Sequence, residues 1–207
     1  FLKSIKGEDG KPIDFIFRPW HEMDGTWFWW GSEQCTPEHF KKLFAFTVKY
    51  LRQEKGIENM LIAYSPDRNF STPSEYLTWY PGDEFVDILG VDNYYDLKQQ
   101  QGHLDAIRKL HIVIGESKAR KKLSAFTETG LENVKDSTWY PEKLGAVLSD
   151  SLVQNEISYV MVWRNDPKVH FFFPYPEHPA AAGAKELLRK EDIFLLSDYN
   201  KAKQTLG

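Results

Sequence analysis

Only one cysteine, Cys35, occurs in the 207 residues. A single thiol closes no internal disulfide, so packing rather than covalent staples must hold the fold. No apolar run reaches the roughly 18 residues that a membrane span needs. No signal peptide is recognisable at the start; the chain opens within a polar amphipathic stretch, so a signal could have been removed upstream. Basic stretches are missing and the formal net charge is −4, which argues against nucleic acid as the main partner. The six histidines show no paired ligand spacing, so a metal centre has little support. No glycine-rich phosphate loop follows a strand, as a doubly wound nucleotide-binding sheet would usually advertise. Repeats, low-complexity tracts and linkers are also lacking, and residues 1–207 read as a single segment.

Aromatic residues, by contrast, are abundant: they make up 15% of the chain and include seven tryptophans. With 42% hydrophobic and 27% charged residues, the chain has enough apolar material for a stable core. Excess aromatics ordinarily mean core packing. Here many gather in one place, Phe17-Arg18-Pro19-Trp20-His21-Glu22-Met23-Asp24-Gly25 running into Trp27-Phe28-Trp29-Trp30-Gly31. A second stretch, Phe126-Thr127-Glu128-Thr129-Gly130, has the same outline: a strand-like run ends on a glutamate and breaks at a glycine. Glycosidic bonds are cleaved by paired carboxyl groups, and sugar rings lie flat on aromatic faces. The two motifs together therefore suggest carbohydrate chemistry.

Strand and helix patterns alternate along the chain. Strands are predicted over 13–17, 60–64, 86–92, 125–127 and 159–163. Helices are predicted from Thr36-Pro37 to Gly56, over 74–80 as a short helix or turn, over 104–122, over 141–154, and over 180–189. Thr36 and Pro37 are cap and first-turn residues. The segment Ile112-Val113-Ile114-Gly115-Glu116 also resembles a strand ending on glutamate; helix is favoured because it keeps the alternation. Such alternation implies a parallel sheet. Polar and aromatic residues cluster at the strands' C-terminal ends, which is the active face of a (β/α)8 TIM barrel. Five strands are too few for eight, and Phe1 to Lys6 looks like the tail of a helix. The expectation is an incomplete barrel, strands four to eight, with about three strand–helix units missing upstream. Two open sheet edges would then favour aggregation of the isolated segment.

The stretch Arg18 to Gly31 resembles the acid/base motif of glycoside hydrolase family 26, and Phe126 to Gly130 resembles that family's nucleophile motif. The likeness continues through Tyr80-Pro81-Gly82-Asp83, Val91-Asp92-Asn93-Tyr94 and Val162-Trp163-Arg164-Asn165-Asp166. It implies a (β/α)8 barrel with acid and nucleophile on strands four and seven, retention of configuration, and no cofactor or metal in the chemistry. The family's members are mostly endo-β-1,4-mannanases, with some mixed-linkage β-glucanases and β-1,3-xylanases. One departure is Asp24, where asparagine is more usual; its charge would either act on Glu22 or face away.

Site residues follow, each with an ordinary alternative. Glu22 is the candidate general acid/base; otherwise it is a strand-end glutamate bridging to Arg18. Glu128 is the candidate nucleophile, or else a glutamate stabilised by a helix dipole; Glu116 is a weaker candidate for that role. Retention asks for carboxyl groups about 5–5.5 Å apart. His21 binds substrate or tunes Glu22, as the resemblance implies, or is a satisfied core histidine. Asp92 and Tyr94, two residues apart at a strand end, can point into one cleft, and the resemblance makes Tyr94 a donor to Glu128. Trp27 and Trp163 are the implied sugar platforms, with Trp29, Trp30 and Trp79 taken as core. Arg164 offers a fork of donors to sugar hydroxyls, or a salt bridge to Asp166 or Asp92. The expected partner is a polysaccharide, β-mannan by resemblance, which implies a secreted, periplasmic or cell-surface location. A non-catalytic carbohydrate-binding protein is the alternative from another class.

Overall fold

A computed structural model describes residues 1–195 and 197–199. The chain forms two compact units, the first made of residues 1–93, 108–128 and 156–161, the second of 94–107, 129–155 and the described residues from 162 on.

The first unit is built on a sheet. Its strands are β1 (Phe15–Phe17), β2 (Met60–Tyr64), β3 (Ile88–Asp92), β4 (Leu123–Thr129) and β5 (Ile157–Val162), adjacent in that same order. The pairings β1–β2, β2–β3 and β3–β4 are parallel. An order that never reverses is that of a barrel wall; a doubly wound sheet turns back at its switch point. Every residue of β3 is buried, as is every residue of β4 except Leu123. That is why β3 reads as a nearly continuous apolar run rather than an alternating one, whereas β4 buries Ser124, Thr127, Glu128 and Thr129 as well.

Helix α1 (Pro37–Lys49) starts where the sequence says it should. The Thr36 side chain accepts from the His39 amide at 3.3 Å, Pro37 sits in the first turn, and Phe40, Phe44 and Val48 form the buried stripe. Burying each such phenylalanine contributes about 1.5–3 kcal/mol. A π-helical turn, Tyr50–Glu54, then leads to Gly56 at φ +56. The short α2 (Pro73–Tyr76) carries a complete capping box between Thr72 and Glu75. The long α3 (Gly102–Arg120) takes in the ambiguous segment 112–116 as helix. Glu116 therefore lies one helical turn before Arg120 and pairs with it, which removes it from the strand-end carboxylates.

The β3–β4 register contains the irregularity that matters for the site. Val91 lies opposite Phe126, but Asp92 lies opposite Glu128, so Thr127 is the extra residue. Gly90 makes room for it: a Cβ there would sit 2.3 Å from Thr127 Cγ2. The bulge thus brings two carboxylates into register.

Two expectations fail locally. The predicted helix over 141–154 is broken into a π-helical turn (Trp139–Leu144), α4 (Gly145–Leu148) and α5 (Ser151–Glu156). The break has a cause. Ser149 Oγ bonds back to the Gly145 carbonyl at 2.8 Å, and Asp150 Oδ1 accepts from the Leu152 and Val153 amides, both at 3.1 Å, capping a new helix. Likewise, residues 1–6 are not the tail of an α-helix; Leu2–Ser4 is a single 3-10 turn, followed by an antiparallel bridge from Lys6 to Pro12.

The second unit packs around Trp139 and Tyr140, both 1% exposed. The Trp139 indole donates to the Leu97 carbonyl at 3.1 Å and the Tyr140 hydroxyl to the Phe172 carbonyl at 2.6 Å. Helix α6 (Ala181–Leu187) buries Ala184 and Leu187.

Gly90→Ala should destabilise the protein by about 1–3 kcal/mol, read as a lower denaturation midpoint, because Thr127 cannot yield without disturbing the bulge. An unchanged midpoint would show that the strands separate more easily than this contact allows.

Candidate active site

Arg18 organises the strand ends. It follows β1 directly and reaches the ends of three other strands. One terminal nitrogen donates to Ser65 Oγ at 3.2 Å, beyond β2, and to Asp92 Oδ2 at 2.5 Å, at the end of β3; the other donates to Glu128 on β4. Burial opposes the guanidinium's charge, but Asp92 and Glu128 outweigh it, and its pKa moves up. Asp92 is completely buried. Burial lifts its pKa well above the carboxylate range; Arg18 pulls the other way, and the nearby Glu128 and Glu22 add to the rise.

Glu22 lies beyond β1 in a strained loop. Trp20 and Glu22 both have φ of +54, a left-handed conformation that costs a non-glycine residue about 1–3 kcal/mol. The Glu22 amide donates to the Ser65 carbonyl at 2.9 Å. The indole of Trp27 donates to Glu22 Oε2 at 2.8 Å. Gly25 allows this, since a Cβ there would lie 2.4 Å from the Trp27 ring. Burial is the largest influence on the Glu22 carboxyl. The Trp27 hydrogen bond and Arg18 work against it, the charges of Asp67 and Glu128 work with it, and the pKa is raised to about 7.

His21 sits between these groups. A ring nitrogen and carboxylate oxygens of Asp92 and Glu128 all lie within 4.8 Å of one another. Burial, then Arg18, lowers the imidazole pKa to about 4, so it is neutral at physiological pH. Phe28 lies against its ring at 5.1 Å, and the Trp30 indole donates to its carbonyl at 2.9 Å. His, Asp and Glu are metal-ligand types, but here both carboxylates already hold a fixed guanidinium, whose charge repels a second cation.

Five of the eight expected site residues, His21, Glu22, Trp27, Asp92 and Glu128, thus gather in the first unit. The other three belong to the second. Tyr94 packs on Phe172 with ring centroids 5.7 Å apart, the Trp163 amide donates to the Thr129 carbonyl at 3.0 Å, and Arg164 lies over the Trp163 ring and 3.9 Å from Asp166.

Several expectations need correction. Arg18 pairs with Asp92 and Glu128, where a bridge to Glu22 was the alternative considered. Of the two alternatives for Asp24, facing away is the one found: its carboxylate accepts from the Asp67 and Asn69 amides at 2.6 and 3.1 Å, and the carboxylate charges that Glu22 feels include that of Asp67. Trp29 is not core: it is 62% exposed, in T-shaped contact with Trp20 and Trp30. Trp79 is buried as expected. Tyr159 on β5 went unnoticed, although a phenol in an apolar strand was a signal. It packs against Ala63, Ile88 and Ala125, and burial raises its pKa, with Arg18 opposing and Asp92 adding.

Carboxyl groups in unlike surroundings, at the C-terminal ends of parallel strands and beside exposed indoles, are the arrangement used by the class of β/α-barrel glycosidases. Comparison with known proteins narrows this. The sequence profile of glycosyl hydrolase family 26 matches residues 2–133, and the chain belongs to that family. It is 35% identical over 181 residues to a mannan endo-1,4-beta-mannosidase of Bifidobacterium adolescentis, covering 79% of this chain and 18% of that protein. A Bacillus subtilis mannan endo-1,4-beta-mannosidase is 33% identical over 124 residues, covering 57% of this chain and 31% of that one. Among solved structures, GH26C from Muricauda superposes with a TM-score of 0.89 at 39% identity, and a GH26 beta-mannanase from Bacteroides ovatus, BoMan26A, with 0.87 at 39%. Each superposition covers 95% of this chain, and 54% and 56% of those chains respectively. The fold is thus part of a (β/α)8 barrel, and the chain spans little more than half of these structures.

Trp27→Phe keeps the ring but removes the donor that favours the charged form of Glu22. The Glu22 carboxyl should then titrate above about 7, as followed by carbon NMR; an unchanged titration would mean the indole does not act on Glu22.

Proposed function

We propose that the protein is a retaining endo-β-1,4-mannanase that degrades mannan-type polysaccharide with Glu22 as acid/base and Glu128 as nucleophile. The observation that carries this reading is the contrast between the two glutamates: Glu22 is held near neutrality with a pKa of about 7, while Glu128 is ion-paired to Arg18. One carboxyl is ready to give a proton at the pH at which the other is neutralised by a fixed cation. Unlike surroundings of this kind support the division into acid and nucleophile.

In the first step, Glu128 attacks the anomeric carbon as Glu22 protonates the departing glycosidic oxygen. The bond to the leaving sugar breaks and a glycosyl ester on Glu128 forms. Glu22, now a carboxylate, takes a proton from water; the water oxygen attacks the same carbon, and the ester breaks. Two inversions give net retention. Arg18 and buried Asp92 position Glu128. Neutral His21 accepts or donates one hydrogen bond to the sugar without adding charge. The open face of Trp27, 55% exposed, gives a ring an apolar platform beside the acid. In the second unit, Tyr94 is assigned as a donor, Trp163 as a platform and Arg164 as a donor to hydroxyls. The mannan endo-1,4-beta-mannosidases among its relatives support mannan as the substrate. A polymer of that size also supports action outside the cytoplasm.

Glu22→Gln, tested in the full-length polypeptide, should lower kcat on mannan by about 10²–10⁴-fold. It should lower the glycosylation rate far less on an aryl mannoside with a good leaving group, and leave mannan binding intact. Glu128→Gln should abolish turnover of both. Equal activity of Glu22→Gln and the unaltered protein on mannan would exclude Glu22 as the acid. Unaltered protein that binds mannan without any turnover would favour a binding protein. Proton NMR of the first-formed anomer tests retention directly.

A further inference from the structure

Asp24 has no part in the proton transfers, yet its side chain is among the most constrained near the site. Both carboxylate oxygens accept from backbone amides of one loop, Oδ1 from Asp67 at 2.6 Å and Oδ2 from Asn69 at 3.1 Å. Its own carbonyl accepts from the Asn69 side-chain amide at 3.3 Å and from Ser32 Oγ at 3.2 Å. The loop it grips touches each part of the catalytic cluster. Ser65 gives its carbonyl to the Glu22 amide and its hydroxyl oxygen to Arg18, while the Pro66 carbonyl accepts from the Asp92 amide at 2.9 Å. Asp67 is the acidic neighbour whose charge acts on Glu22.

We infer that Asp24 is a positioning residue, a latch that holds the 65–69 loop against the Glu22 loop and so keeps Asp67 and Ser65 in place beside the acid. The inference rests on the reading of Glu22 as the acid. A carboxylate is required by the geometry, because two N–H groups point at two different oxygens. An asparagine would set its NH2 group against one of those donors and release one side of the loop. Asp24 also faces a cavity of about 260 Å³ lined by Pro66, Asn69, Phe70, Glu75 and Trp79 among others, which lets the loop shift once freed. Burial and then Asp67 raise the pKa of Asp24 to about 7, with the backbone donors opposing, and the buried Tyr64 phenol feels its charge. Glu22 faces Asp67, Glu128, Arg18 and the Trp27 indole.

The sign of the effect follows from these neighbours. Asp67's charge disfavours ionised Glu22, so moving Asp67 away lets Glu22 ionise at lower pH, and the protonated acid is lost sooner as pH rises. In the full-length polypeptide, Asp24→Asn should shift the basic limb of the kcat/KM–pH profile on mannan downward by about one pH unit. Asp67→Asn should do the same directly. Because the first acts through the second, the double variant should shift no further than Asp67→Asn alone. Additive shifts, or an unmoved limb in either single variant, would overturn the latch. Hydrogen exchange in the unaltered protein gives a readout that needs no variant: the Asp67 and Asn69 amide protons should exchange slowly together, and fast exchange of both would also overturn it. Glu22→Gln run alongside separates the two ideas. If it keeps full activity, the reading of the acid fails; if it is inactive while Asp24→Asn leaves the limb in place, only the latch fails.

Discussion

The cluster at the strand ends depends on one buried guanidinium. Arg18 is 15% exposed, and its partners Asp92 and Glu128 are 0% and 6% exposed. Without it the two carboxyl groups would be buried with no cationic partner, and removing one partner from a buried ion pair typically costs about 3–5 kcal/mol. Such a pair adds little net stability over a well-packed apolar alternative; what it supplies here is position. One side chain links the ends of four strands, so the relative placement of β1, β2, β3 and β4 is written into the geometry of a rigid planar fork. The bulge at Thr127 and the missing side chain at Gly90 are the backbone adjustments that bring Asp92 and Glu128 within reach of that fork.

Charge arithmetic follows from the same centre. A single fixed cation faces two carboxyl groups, so one of them is most easily accommodated with its proton. Complete burial pushes the pKa of Asp92 up, toward its neutral form. Glu22 stands outside the clamp, with an indole hydrogen bond and a carboxylate neighbour in place of a salt bridge. Contact with Arg18 therefore distinguishes the surroundings of Glu128 from those of Glu22, although the two side chains are chemically identical.

Much of this was legible in the chain. The capped start of α1 at Thr36-Pro37 and the apolar runs of β2 and β3 are local signals, and local physics determined them correctly. The two glutamate motifs also stood out, because a polar residue closing an apolar strand is conspicuous. What stayed hidden was set by contacts between distant segments. Nothing near Arg18 says that it will cross to Asp92 and Glu128 rather than turn to Glu22, four residues away. For Asp24 the sequence left open an effect on Glu22 or a turn away from it, because the partner that decides, a loop more than forty residues on, is distant in the chain. Trp29 was placed in the core on size alone, whereas its neighbours Trp20 and Trp30 had already filled the space beneath it. The break at Ser149 and Asp150 was in principle readable, since both side chains compete for helix backbone, but the apolar periodicity across it was the louder signal.

Trp27 gives the proposed chemistry an additional property. The same indole that bonds the acid through its nitrogen exposes its face to incoming sugar. A ring laid on that face would strip water from Glu22 and strengthen the influence that already dominates its ionisation. Occupancy of the platform and retention of the proton are then thermodynamically linked, and the linkage is reciprocal. Such a site would be most fully protonated when a glycan is seated, and would grip the glycan best under conditions that keep it protonated.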